Sequence, residues 1–307
     1  MIVNENLRDR YRGVLVGSAA GDALGATLEF MDRREIRERY GVLRDIVGGG
    51  WLHLPAGEVT DDTQMALCIA RSIVERERFD PDDIASRFVD WYRSNPPDIG
   101  NTTRRSLQLL DEGAPWQEAG AQTHREMRPR DASNGSIMRC APVALLARGD
   151  PDFNARASAD SSRITHANPL SVDGCVALNA GIASLLDDPA ADVLAIAIEA
   201  AQDGLVIESL KAVPDQTVES IDAGGYVLST LQSAFWAVTT SGSLEDAIVK
   251  AVNLGQDADT TGAVAGALAG AKWGYQAIPE RWREALIEHE TFVSLADGLL
   301  EISLARS

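Results

Sequence analysis

Thr261-Gly262-Ala263-Val264-Ala265-Gly266-Ala267-Leu268-Ala269-Gly270-Ala271-Lys272 is a stretch in which Gly returns at every fourth position. That spacing stacks Gly262, Gly266 and Gly270 on one stripe of an α-helix. Each interior Gly costs about 1 kcal/mol of helix propensity relative to Ala. The stripe therefore needs compensation, and close approach of another helix through a seam of small residues supplies it. The segment Tyr11 to Thr27 is crowded with Gly and Ala in the same way. Both are expected to be central helices packed tightly on their neighbours, holding the residues at their ends in fixed positions.

Outward from these two segments the helical period continues. Met65, Cys68, Ile69, Ser72 and Ile73 fall on one face of Thr63 to Glu75. Ile84, Phe88, Trp91 and Tyr92 repeat the spacing. Further helices are expected over Ser171 to Leu186, Val193 to Ala201, Tyr226 to Val238, Leu244 to Val252, Thr260 to Trp273, Arg281 to His289 and Phe292 to Leu304. Separators such as Ser241-Gly242-Ser243 and Ile278-Pro279 are short, which favours compact antiparallel packing. The best strand candidate, Asp45-Ile46-Val47, is brief. No linker or repeat divides the chain, so the expectation is all-α, with residues 1–307 as one compact multi-helix domain.

The 307 residues are 45% hydrophobic and 24% charged, an ordinary globular balance. A net charge of −18 excludes nucleic-acid binding through a general basic surface. Cys68, Cys140 and Cys175 form no C-x-x-C pair and read as small buried thiols of a reducing compartment. Met1 to Arg10 has no apolar leader core. No apolar run reaches the ~18 residues of a membrane span. The expected location is the cytoplasm, with no membrane partner.

Two acidic motifs carry the chemistry. Thr60-Asp61-Asp62-Thr63 sits where a loop becomes a helix, and alone it reads as a helix cap. Asp257-Ala258-Asp259-Thr260 has the same grammar, with two acids and a Thr before a small-residue helix. Only the fold can bring the two together. Asp and Thr oxygens are hard ligands that suit Mg²⁺ or Mn²⁺ better than zinc. Four aspartates balance two divalent cations; without metal they would repel and raise one another's pKa.

Five motifs then appear in order. They are Gly21-Asp22-Ala23-Leu24-Gly25 with Glu29-Phe30; Thr60-Asp61-Asp62-Thr63; Asn134-Gly135-Ser136-Ile137-Met138-Arg139 with Ala141-Pro142; Thr165-His166-Ala167-Asn168-Pro169; and Asp257-Ala258-Asp259-Thr260. Together they resemble the ADP-ribosylglycohydrolase family, which includes the dinitrogenase reductase-activating glycohydrolase and the ADP-ribosyl-arginine and ADP-ribosyl-serine hydrolases. The resemblance spans roughly residues 8–300. It implies an orthogonal all-α bundle with two divalent metal ions, Mg²⁺ or Mn²⁺, at the base of an ADP-ribose cleft. By motif match, Thr60, Asp61, Asp62, Asp257, Asp259 and Thr260 would be metal ligands. Glu29, Asp61 and Asp98 would serve catalysis. Asn134, Gly135 and Ser136 would cradle phosphate, with His166 and Tyr226 also contacting substrate.

The chain departs from the family pattern at Gln256, Ala258, Thr27 and Ser133, where Gly, Thr, Pro and Gly are frequent. His53, His124 and His289 lack a motif and read as surface residues. Trp51 reads as a packing residue. The implied reaction is hydrolysis between ADP-ribose and an acceptor, which could be a protein side chain such as arginine or serine or a small molecule. The alternatives are a two-metal phosphoesterase acting on a nucleotide and a protein that binds ADP-ribose without turnover.

Overall fold

The computed structural model describes residues 5–127 and 132–306. The first four residues of the Met1 to Arg10 stretch lie outside the described residues. Sixteen α-helices account for the architecture. They begin with α1 (Glu5–Gly25), α2 (Arg33–Tyr40), α3 (Asp61–Arg76), α4 (Pro81–Arg93), α5 (Asn101–Asp111) and α6 (Trp116–Met127). The middle of the chain supplies α7 (Ala141–Leu146), α8 (Pro151–Arg163), α9 (Pro169–Asp187), α10 (Val193–Ala200) and α11 (Gly204–Lys211). The chain ends with α12 (Val227–Thr239), α13 (Leu244–Val252), α14 (Ala258–Trp273), α15 (Glu280–Ala285) and α16 (His289–Arg306). The all-α expectation holds, and the described residues contain no strand. Asp45-Ile46-Val47 is irregular, and the nearest ladder contact is an isolated bridge between Gly49 and Leu54.

At the centre, α1 and α14 run antiparallel with their backbones in contact. A methyl added at Gly13 would lie 2.4 Å from the carbonyl oxygen of Gly270, and one at Gly17 2.6 Å from that of Gly266. At Gly21 the gap to the Gly262 oxygen would be 2.0 Å, and at Gly25 that to the Ala258 oxygen 2.3 Å. Both stripes thus step by four residues and face each other. The small-residue helices are partners of one another, and close approach is what their glycines permit. Both helices are buried almost throughout.

The remaining helices wrap this pair in one continuous apolar cluster that runs from Leu7 to Leu300. Several starts are locally encoded. Asp80, Asp150, Asp192 and Ser243 cap α4, α8, α10 and α13 with side-chain oxygens. Helix α2 buries only Ile36 and has little apolar pattern, but Asp32 and Glu35 form a reciprocal capping box at its start. Its start is therefore fixed by capping and not by an apolar stripe.

Two expectations are corrected. Arg281 to His289 is not one helix: α15 stops at Ala285, because Leu286 turns extended and the Ile287 amide donates to the Gly57 carbonyl at 3.1 Å. A methyl at Gly57 would sit 1.7 Å from the Ala285 oxygen, so that crossing ends the helix. Helix α9 is also long and apolar enough, by length and composition, to cross a membrane, although 67% of its most apolar window is buried against the rest of the fold.

The seam is directly testable. Gly266→Ala forces a methyl to within 2.1 Å of the Gly17 carbonyl oxygen, where no flexible side chain can yield. It is expected to lose about 3 kcal/mol or more in urea unfolding. Gly204→Ala, at a helix start with open space around it, is expected to change stability by less than about 1 kcal/mol.

Candidate metal centre and active-site cleft

The antiparallel seam ends with the start of α14 against the end of α1, and this brings the two acidic motifs together. Asp257 precedes α14, and Asp259 and Thr260 lie in its first turn. Asp61 and Asp62 open α3. The Thr260 hydroxyl donates to Asp62 Oδ1 at 3.3 Å, a direct bond between motifs 198 positions apart. Thr60 is the N-cap of α3 and is buried; its hydroxyl accepts from the Asp62 amide at 3.4 Å.

Asp22, in the last turn of the Gly/Ala helix α1, holds the start of α3 in place. Its carboxylate is fully buried and accepts from the amides of Thr60 and Thr63, each at 3.1 Å, and from the Thr63 hydroxyl. A carboxylate at a helix N-terminus satisfies amides that lack intrahelical partners. Sequence reasoning quoted Asp22 within a motif and gave it no role. The signal was present, because an acid inside an otherwise apolar seam must be paired.

One cavity of about 790 Å³ opens over these motifs. Its walls include Glu29, Asp61, Asp62, Asp98, Asp257 and Asp259, and no Lys or Arg among the described lining residues. Asn134, Gly135, His166 and Thr260 line it too. Thr60, Ser136 and Tyr226 are not in the lining. Ser136 is buried behind the loop, accepting a hydrogen bond from Ser162 at 2.8 Å. Tyr226 is an exposed residue preceding α12, bridged through backbone to Ser133, while Gly224 and Gly225 beside it face the cavity.

Carboxylate oxygens of Glu29, Asp257 and Asp259 all lie within 4.8 Å of one another, a group that could hold a metal ion. The donor set is entirely oxygen, as hard divalent cations require. Two buried oxygens of the acidic motifs, Asp259 Oδ1 within this group and Asp62 Oδ2 beside it on the cavity wall, have no hydrogen-bond partner in the protein. An unpartnered buried carboxylate oxygen is costly, and a bound cation relieves it. The residues present therefore fit a metal centre.

Burial and mutual repulsion shape the protonation of the group. Burial pushes Asp61, Asp62 and Asp259 well above the usual carboxylate range, and neighbouring carboxylates push them further. Asp98 is raised by burial and by Asp257. Glu29 rises to about 8, mainly through burial and then through Asp98, Asp257 and Asp61, although a hydrogen bond from Trp51 opposes the shift. Asp22 rises to about 6 through burial, moderated by its bonds to Thr63 and Thr60.

Trp51, which could border a cleft but for which packing is the favoured expectation, stands against the two lining residues Glu29 and Phe30. It is 44% exposed, its indole N–H donates to the Glu29 carboxylate, and its ring stands 5.3 Å from that of Phe30. Phe30 lines the cavity with 68% of its surface exposed. The Glu29 segment is clasped to the second motif by two backbone bonds, Phe30 N–H to Gln256 O at 2.6 Å and Gln256 N–H to Met31 O at 2.8 Å. Gln256 adopts φ of 59°, a left-handed conformation that favours Gly, which is the residue frequent in the family at this position.

Of the other departures, Ser133 hydrogen-bonds to His166 Nε2 at 3.0 Å and Thr27 donates to the Gly48 carbonyl at 3.1 Å. Gly135 packs so closely that a methyl there would lie 2.9 Å from His166 Nε2. Asn134 donates to Asp257 at 2.7 Å and to Thr230 at 2.8 Å, fixing the Asp257 carboxylate. Among the other histidines, His53 is exposed, while His124 and His289 are half-buried and His289 bonds the Tyr275 hydroxyl.

Comparison with known proteins gives one consistent result. The family model for ADP-ribosylglycohydrolase matches residues 3–306. The ADP-ribosyl-[dinitrogen reductase] glycohydrolase of Rhodospirillum rubrum is 36% identical over 285 residues, covering 92% of this chain and 91% of its own. The ADP-ribosylarginine hydrolase Tri1 of Pseudomonas putida (strain GB-1) is 37% identical over 306 residues, covering 97% of this chain and 79% of its own. A solved ADP-ribosylglycohydrolase-related protein complex superposes with a TM-score of 0.83 at 34% identity, over 98% of this chain and all of that one. The chain belongs to the ADP-ribosylglycohydrolase family, and is a hydrolase acting on glycosyl bonds.

The raised carboxylates set a pH dependence. In the metal-free protein the folded state retains protons on Glu29 up to about 8 and on Asp22 up to about 6, whereas the unfolded chain releases them in the ordinary carboxylate range. The folded state then binds more protons, so stability falls as pH rises through that window. Chelated protein is expected to melt at lower temperature at about pH 8 than at about pH 5. Added Mg²⁺ should raise the melting temperature more at the higher pH. A melting curve that rises with pH in the chelated protein would contradict the assignment.

Proposed function

We propose that this chain is a divalent-metal-dependent hydrolase that cleaves the N-glycosidic bond between ADP-ribose and an arginine side chain. The observation that carries the reading is the cavity lined by six carboxylates, of which Glu29 and Asp98 lie outside the proposed ion-ligand set. An arginine acceptor brings a guanidinium, and a carboxylate left free of metal complements it. The name of the ADP-ribosylarginine hydrolase at 37% identity supports the choice of acceptor.

Thr60, Asp61, Asp62, Asp257, Asp259 and Thr260 would hold two ions, Mg²⁺ or Mn²⁺, with Thr60 contributing from its cap position. When bound, such ions orient ribose hydroxyls and lower the pKa of a bound water.

The chain's own residues account for the rest. A glycosidic bond breaks through an oxocarbenium-like state, and a wall of carboxylates stabilises that developing positive charge. Glu29, on the cavity wall and oriented by Trp51, is suited to give or accept a proton at the scissile bond. Asp98, on the same cavity wall, would pair with the departing guanidinium. The Asn134 amide is held by the Gly225 carbonyl, so in this turn the Gly135 amide would be the one to face the diphosphate, while the Asn134 side chain keeps Asp257 aligned.

The deciding experiment incubates arginine-, serine- and small-molecule-linked ADP-ribose with the protein in Mg²⁺, Mn²⁺ or chelator and reads the products by mass spectrometry. Free ADP-ribose is expected from the arginine conjugate, and only with metal. Asp61→Asn and Asp257→Asn are each expected to lower that release about 100-fold or more. Wild-type rates in either variant, or AMP as product, would refute the reading.

A further inference from the structure

Arg139 is the largest charged side chain buried in this protein, with no exposed surface. Its described partners are not acidic. The guanidinium lies 4.6 Å from the centre of the Phe88 ring, one nitrogen approaches Met65 Sδ at 3.4 Å, and another donates to the Thr165 hydroxyl. Its Nε has no partner. A buried cation with no carboxylate among its hydrogen-bond partners, and only the charge of Asp61 to offset it, is expensive, so its single strong hydrogen bond is where a role would be found.

That bond has a direction. A guanidinium can only donate, so Thr165 Oγ1 accepts from Arg139 and has its own proton left to give. Its nearest ring neighbour is His166 Nδ1, at 2.7 Å. If the hydroxyl donates there, Nδ1 is the lone-pair nitrogen and the ring proton sits on Nε2. Burial and the nearby Arg139 charge both disfavour a protonated ring, so the neutral form is the one to consider. On the far side, Nε2 is 3.0 Å from Ser133 Oγ, which donates to Thr102 Oγ1 at 3.2 Å. His166, Ser133 and Thr102 all line the cavity, Thr102 from the first turn of α5.

We propose that Arg139 is a positioning residue that acts through Thr165 to lock His166 in the Nε2–H tautomer, so that a row of donors running Arg139, Thr165, His166, Ser133, Thr102 delivers its positive end to the cleft. The row ends on the Thr102 hydroxyl, whose proton is the one left to point into the cavity for anionic oxygen, among the carboxylates that serve the ions and the cationic acceptor. A histidine with the opposite tautomer would turn a lone pair toward Ser133 and reverse the row. The anionic oxygen meant is that of the ADP-ribose diphosphate; that identification rests on the function proposed above, whereas the tautomer does not.

The test uses the full-length protein in Mg²⁺. Histidine labelled with ¹⁵N reads the tautomer from long-range nitrogen–proton correlations, with the His166 signals assigned by their loss in His166→Gln. Wild type is expected to show the proton on Nε2. Thr165→Val, which keeps shape and removes the hydroxyl, is expected to shift His166 toward the Nδ1–H form and to weaken binding of free ADP-ribose about tenfold or more. Thr165→Ser is expected to restore both. Arg139→Met is expected to match Thr165→Val, and the Thr165 pair keeps the test decisive if that variant fails to fold. A wild-type ring protonated on Nδ1 overturns the proposal. So does an unchanged tautomer in Thr165→Val, or a changed tautomer with unchanged ADP-ribose affinity. Wild-type protein that binds no ADP-ribose would instead overturn the function reading, while the ring spectrum still decides the relay.

Discussion

Between Gly21 and Gly262 there is no room for a single methyl group, and the same is true at each step of the seam that joins α1 to α14. Side chains elsewhere in the core can adjust by changing rotamer, but two backbones in contact cannot. The seam therefore fixes the start of α14 relative to α1 to within the width of an atom. Asp22 projects from α1 beside it and takes hold of the start of α3. The position of both acidic motifs follows from that contact. A site that must hold several like charges a few ångströms apart needs a scaffold that does not relax under their repulsion, and glycine against glycine is such a scaffold.

The cost of the arrangement is visible in the carboxylates. Burial and crowding push Asp61, Asp62, Asp98, Asp259 and Glu29 above the usual range. Two of the crowded aspartates carry oxygens with no partner in the protein. Such frustration is common where a protein is organised for a ligand and not for its own stability. The same cavity is also lined by neutral hydroxyl and amide side chains, among them Thr102, Ser133 and Asn134.

Much of the helical layout is readable in the sequence because apolar residues recur at helical spacing in α3, α4, α12, α13 and α16. Where that period is weak, as in α2, a capping box does the work. The Arg281 to His289 expectation failed at a long-range contact, the crossing at Gly57, which no local pattern encodes. The acidic motifs could be paired from composition and order. What could not be read were links made only by folding: Trp51 on Glu29, Asp22 under Thr60 and Thr63, and Ser133 on His166. Each joins residues that local sequence treats as unrelated. Ser133 is instructive, since a departure from the family pattern turned out to bond the cleft histidine.

The clasp between the Glu29 segment and Gln256 has a mechanical meaning. Two backbone hydrogen bonds tie Phe30 and Met31 to Gln256, and Gln256 is covalently joined to Asp257. Glu29 and Asp257, two of the carboxylates that could hold a metal ion, are therefore carried on one stiff unit. Asn134, next to Ser133, ties Asp257 to the hydroxyl-bearing residues as well, so the acidic side keeps its register both along the chain and across the cleft.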